Sequence, residues 1–162
     1  MEVVRVAPSQ SIITKITKVV IRAMTLDDYD KVYTLWRNMT VIGLNNLDGS
    51  RNGFARYLSR NPRTCFVAEQ GDNILGAILS GHDGRRGFIH HVAVVQSEQR
   101  RGIGQALVDA AVSALDNEGI GKVGVAIYTK NKKGNAFWEE LGFAERTDLT
   151  YREKDTIESE YL

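Results

Sequence analysis

The chain has 162 residues, a single cysteine, and 21 basic against 20 acidic side chains, for a net charge of +1. That length suits one domain, and 43% hydrophobic residues can build its core. Near-neutral charge excludes global steering toward nucleic acid or an anionic bilayer, one cysteine excludes an intrachain disulfide, and no apolar run is long enough to cross a membrane.

Residues 1–18 mix valine, threonine and lysine without a period and read as an N-terminal extension lacking the apolar core of a signal peptide. A domain is expected over 19–154, with an acidic tail at 155–162, in a reducing, cytoplasmic setting. Residues 19–22 are a short strand. Thr25 and Asp28 then make a capping-box start for a helix carrying Leu26, Tyr29, Val32, Tyr33, Leu35 and Trp36. Residues 43–47 are a loop, and a second helix runs from Asp48 or Ser50 to about Ser59, stopped by Asn61-Pro62.

Residues 64–70 and 74–80 flank Gly71-Asp72-Asn73 as two strands of a hairpin. A further hairpin through residues 82–87 leads into a strand at 88–95, giving three antiparallel strands in a row. Cys65, in the first of these strands, reads as a packed thiol. The next helix places Ile103, Leu107, Ala110 and Ala114 on one face, with Val108, Val112 and Leu115 beside it, and stops near Gly119-Ile120-Gly121. A strand at 123–128, a helical segment in 131–143 and two short strands at 143–148 and 150–154 complete the order.

The segment Gln99-Arg100-Arg101-Gly102-Ile103-Gly104-Gln105 carries the most chemical information. It sits between a strand and a helix, where glycines permit a tight turn and the unpaired N–H groups of the first helical turn can meet a phosphate. A dinucleotide fingerprint would need glycine or alanine where Leu107 stands.

The segment resembles the Gln/Arg-x-x-Gly-x-Gly/Ala motif of the GNAT acetyltransferase superfamily, with Gln99, Gly102 and Gly104 in its fixed places and Val92-Ala93-Val94 before it. A second stretch, from Asn131 to Gly142-Phe143, is similar to that superfamily's Asn...Ala-x-x-Tyr-x-x-x-Gly-Phe segment, except that Trp138 stands where many members have tyrosine. The resemblance implies an α/β (α+β) fold: a mixed, mostly antiparallel sheet of six to seven strands, splayed between strands 4 and 5 and flanked by about four helices. It further implies acetyl-CoA as co-substrate in the splay, no metal, and transfer of the acetyl group to a primary amine of a small molecule or peptide through a ternary complex.

Carried onto these positions, main-chain groups at Val92 and Val94 would hold the pantetheine arm and those near Ala93 would face the thioester. Amides from Arg100, Arg101, Gly102, Ile103, Gly104 and Gln105 would take the pyrophosphate, with Gln99, Asn131 and Trp138 also at the coenzyme.

Such chemistry needs an oxyanion donor and a route for the amine's proton. His90 and His91 are the candidate bases: neighbours on a strand point to opposite faces, so one of them should look into the cleft. An indole cannot protonate a leaving thiolate as a phenol could, which leaves Tyr128, Tyr33 or Tyr151, or departure of the thiolate unassisted. A non-catalytic acyl-CoA sensor is the alternative function. A homodimer is the base-rate expectation for assembly.

Overall fold

The computed structural model describes residues 17–39 and 43–162. Five strands, β1 (Val20–Ala23), β2 (Phe66–Gln70), β3 (Asn73–His82), β4 (Gly87–Val94) and β5 (Val123–Val125), lie in the order of the sequence. The first four are antiparallel, and β4 and β5 are parallel. The helices are α1 (Tyr29–Arg37), α2 (Arg51–Arg60), α3 (Ile103–Asn117) and α4 (Lys132–Glu140). Most of the expected order holds, with a mixed sheet and four helices.

Local chemistry accounts for the boundaries. Asp28 closes the capping box at Thr25, and the Ser50 hydroxyl accepts from the Gly53 N–H at the start of α2. Gly71, with φ of 59°, makes the β2–β3 turn. Arg22 donates from β1 to both carboxylate oxygens of Asp28 at 2.8 Å and to Glu69 on β2 at 2.9 Å, so the turn that leads into α1 is pinned to the sheet.

The sheet separates two apolar layers. Val32, Leu35, Trp36, Phe54 and Leu58 of α1 and α2 pack with Val67, Ala77, Leu79 and Ala93 on one face. Ile103, Leu107, Val108 and Ala111 of α3, with Trp138 of α4, pack with Ala68, Leu75, Ile78, Ile89 and Val94 on the other. Cys65 is 1% exposed and its thiol donates to the Ser80 carbonyl; burial pushes its pKa up to about 12, as befits a packed thiol.

Three expectations need correction. The sheet has five strands because residues 143–154 have no strand partner: Leu149 and Tyr151 are exposed, and the chain regains pairing only at Tyr161, opposite Asn45. β5 stops at Val125, three residues short of the expected end. The buried face of α3 runs through Ile103, Leu107, Val108, Ala111 and Leu115, leaving Val112 exposed. The hairpin at residues 82–87 is a polar turn, in which His82 bonds Glu118 and Asp83 accepts from the N–H groups of Arg85 and Arg86. The expectation for residues 1–16 lies outside the described residues.

Leu107 is fully buried between α3 and the sheet. Leu107→Ala is expected to cost about 2–5 kcal/mol in denaturant-induced unfolding. A loss under about 1 kcal/mol would mean that α3 does not pack as described.

Candidate active site

Strands β4 and β5 stay paired for only three rungs, Gly87 with Val123, Phe88 with Gly124 and Ile89 with Val125. Beyond Ile89, β4 continues to Val94 without a partner on that side, while the chain after Val125 leaves the sheet. The gap opens into a cleft of about 100 Å³ lined by Ile89 to Val92, Val125 to Tyr128, Asn131 and Trp138.

The place of divergence coincides with a defect in the neighbouring ladder. Leu79 faces His91 across β3–β4 and the next pair is Ser80 with Ile89, so His90 is an extra residue on β4. The extra residue shifts the side-chain alternation. Ile89 packs on the α3 face, yet Ala93, four residues on, packs on the opposite face.

Both histidines therefore lie on the α1–α2 side, which corrects the expectation of opposite faces. The His90 ring packs between Tyr57 and Phe88, at centroid distances of 5.4 and 4.9 Å. His91 packs on Trp36 at 5.0 Å.

Burial lowers the pKa of His90, with the Asp48 carboxylate opposing it. Burial also lowers that of His91, to about 4, aided by the like charge of His90 and opposed by Asp48. Both imidazoles are thus uncharged near neutral pH and able to accept a proton. The His91 Nδ1 and Trp36 Nε1 atoms are buried without a hydrogen-bond partner among the described residues.

The main chain of β4 supplies polar groups to the gap. The Val95 N–H donates to the Leu75 carbonyl on β3. By strand alternation Ala93 also turns to β3, while Val92 and Val94 turn to the gap. Gln99 Nε2 donates to the Val94 carbonyl at 3.2 Å. The Gln99 side chain thus ties the glycine turn to the strand, leaving the N–H groups of Val92 and Val94 and the Val92 carbonyl facing the gap.

Beyond the end of β4 the turn adopts two left-handed residues, Arg100 at φ of 64° and Gly102 at 79°. For arginine that conformation costs roughly 1–2 kcal/mol. The Ala106 N–H closes the first helical bond on the Gly102 carbonyl, so the amides of Ile103, Gly104 and Gln105 point out from the N-terminus of the fifteen-residue α3. Such a concave run of N–H groups receives an anion. A β-carbon at Gly104 would stand 3.3 Å from the Phe137 ring, so the helix lies close against α4 here and a larger side chain would have to displace that ring. Arg101 is paired with Glu98, and Arg100 is exposed.

Around the cleft, Asn131 caps α4 by accepting from the Gly134 N–H at 2.9 Å, and its side-chain amide nitrogen has no partner among the described residues. Trp138 is 7% exposed, meets Phe137 and Phe143 edge to face, and lines the cleft. Tyr128 lines the mouth, where a β-carbon on Gly43 would stand 2.7 Å from its hydroxyl. Tyr151 is out of reach, exposed and bonded to Glu153, and Tyr33 packs on Tyr29. Tyr57 and Trp36 frame the histidines, and nothing in their local sequence singles them out for that place. Among the described residues no group of three or more His, Cys, Asp and Glu is placed to hold a metal ion, and no helix is long and apolar enough to cross a membrane.

A family model described as the acetyltransferase (GNAT) family matches residues 29–143. An acetyltransferase of Sodalis glossinidius is 26% identical over 140 residues, covering 86% of this chain and 97% of the relative. Among solved structures, Ard1 from Thermoplasma volcanium superposes with a TM-score of 0.70 at 20% identity, over 78% of this chain and 82% of that one. AAC(6')-Iy in complex with the bisubstrate analogue CoA-S-monomethyl-acetylneamine gives 0.68 at 16% identity, over 86% and 100%. A ribosomal-protein-alanine N-acetyltransferase from Brucella melitensis gives 0.66 at 17%, over 85% and 99%. At these identities the three structures show a shared fold.

The state of His91 has a consequence for stability. Its pKa is about 4 when folded against an ordinary 6.5, so the unfolded chain takes up the proton first as pH falls. The stabilisation is complete above about 6.5 and is withdrawn as pH falls to about 4. Across that window the wild type is expected to lose on the order of 2–3 kcal/mol more than His91→Phe in urea titrations. Equal losses would show that the imidazole is not held neutral by the fold.

Proposed function

The chain belongs to the GNAT family of acetyltransferases and is an N-acetyltransferase; from that premise we propose that it moves the acetyl group of acetyl-CoA to a primary amine by direct attack within a ternary complex. The observation that carries this reading is the gap beside residues 90–94, which meets an anion-receiving turn at one end and two uncharged imidazoles at the other.

The residues present fit the coenzyme in charge and shape. The amides of Ile103, Gly104 and Gln105 with the left-handed turn at Arg100 and Gly102 would hold the pyrophosphate, and Arg100 and Arg101 would flank it. Main-chain groups of Val92 and Val94 would bind an extended amide arm as a neighbouring strand would. The Asn131 amide nitrogen would reach the arm from the opposite wall, and Trp138 would pack beneath it. When bound, acetyl-CoA supplies an activated acyl group as a thioester.

His90, at the cleft surface, would accept the proton that the amine gives up, directly or through one water, while the more deeply set His91 and Trp36 fix the wall behind it. A Val92 N–H aimed into the gap would stabilise the developing oxyanion. Tyr128 is the tyrosine placed to return a proton to sulfur. Without that donation, a thiolate whose conjugate acid has a pKa of about 8.5 leaves at modest cost.

The test is release of free thiol from acetyl-CoA with a panel of amines, read with a thiol-reactive dye; buried Cys65 adds no native background. His90→Gln is expected to lower kcat by about 10²-fold with little change in acetyl-CoA affinity. Gly104→Val, which would drive a side chain into Phe137, is expected to weaken acetyl-CoA binding by about tenfold or more. Binding of acetyl-CoA without turnover of any amine would favour the sensor function. Absence of binding would refute the reading of the turn.

A further inference from the structure

Two adjoining rings on the α1–α2 side of the sheet each bury a polar atom that has no hydrogen-bond partner among the described residues: Nε1 of Trp36 and Nδ1 of His91. The ring centroids are 5.0 Å apart and the planes are tilted by 56°. The two atoms are chemically complementary. An indole nitrogen only donates, whereas a neutral imidazole has one nitrogen that donates and one that accepts. We infer that Trp36 is a positioning residue: its N–H serves Nδ1 of His91, which confines the imidazole proton to Nε2 and makes His91 a hydrogen-bond donor to the cleft. This deepens the acetyltransferase reading and rests on it for the use to which the donor is put.

The surroundings of Trp36 offer its N–H nothing else. The side chain is 1% exposed and belongs to an apolar cluster with Val32, Leu44 and Phe54, whose ring meets the indole edge-on at 5.9 Å. A buried donor without an acceptor is costly, and so is a buried acceptor without a donor, so the two gain by meeting. A small rotation of the imidazole about χ2 brings them together, and that torsion is soft. The opposite tautomer would set two N–H groups against each other with no acceptor for either. Burial works to the same end by keeping the His91 ring neutral, with the charge of His90 acting in the same sense and Asp48 opposing.

The other edge of the ring faces the cleft. His91 lines that space, and with Nδ1 buried it is Nε2 that borders it, together with Val92. The two histidines therefore divide the work. His90, the more exposed, keeps an accepting nitrogen for the proton of the amine, whereas the accepting nitrogen of His91 is engaged from behind. In the proposed transfer the acyl oxygen gains charge, and the Nε2–H of His91 would stabilise it beside the N–H of Val92.

The experiment uses the full chain labelled with nitrogen-15. Long-range proton–nitrogen correlations of an imidazole show which nitrogen carries the proton, and they need no substrate. At about pH 7.5 the expected result is His91 in the Nε2–H form alone, with a Trp36 indole proton slow to exchange with solvent. Replacing Trp36 by its benzothiophene analogue, in which sulfur takes the place of N–H at nearly unchanged shape, is expected to mix the two tautomers while acetyl-CoA binding persists. In thiol release, His91→Phe is expected to lower kcat by about 10²-fold with little change in KM, and His91→Gln, which still offers an N–H, to recover most of that loss. An Nδ1–H form or a mixture in the wild type, or a tautomer that the analogue leaves unmoved, would overturn the inference and leave the acetyltransferase reading standing. So would a fall in His91→Gln as deep as that in His91→Phe, since the basicity of the ring would then be what matters. Absence of acetyl-CoA binding in a chain whose His91 is in the Nε2–H form would overturn the acetyltransferase reading and leave the Trp36–His91 pair in place.

Discussion

A parallel pair of strands holds together only while both main chains stay in step, and β4 and β5 lose step after their third rung. The extra residue at His90 supplies a cause, because a bulge adds twist and bends the strand that carries it. Nearly every feature of the cleft descends from that bend. It frees the polar edge of residues 90–94, places two imidazoles on one side of the sheet, and allows Tyr128 and Asn131 to approach from the far wall. A continuous sheet here would have buried the same polar groups against β5 and left no slot.

The frame around the bend is built to hold it. Arg22 anchors Asp28, at the entrance to α1, to β1 and β2, and α1 delivers Trp36 to the back of His91. On the other face, α3 lies on the sheet through Leu107, Val108 and Ala111, which fixes its N-terminus against the end of β4. The strained left-handed Arg100 is tolerated because both neighbours of the turn are tied down, Gln99 to the Val94 carbonyl and Gly104 against Phe137. Energy spent on local strain is recovered in the packing of a long helix.

What could be read from the chain alone was whatever depends on near neighbours. The capped starts of α1 and α2, the Gly71 turn and the glycine turn before α3 each declare themselves within a few residues. The bulge at His90 does not, because it is defined by which β3 residues lie opposite, a relation fixed by the register of the sheet. The same limit explains the over-long β5 and the strands expected at 143–154. Leu149 and Tyr151 have the composition of strand residues, but composition cannot supply the partner that a strand requires. For α3 the spacing was right and the rotation was off by one residue, because a helix rich in alanine and valine presents two nearly equivalent apolar faces.

From Ile89 onward β4 has a free edge in the interior of a sheet, a situation proteins ordinarily confine to the outermost strand. An exposed edge invites any extended chain to add itself, which is the origin of unwanted association. Here the invitation is narrowed by the walls: Ile127 and Tyr128 on one side, Trp138 below, and the histidines on the other. An edge recessed in this way is shielded by its surroundings, so its unpaired polar groups persist without lying open on the outer rim of the sheet.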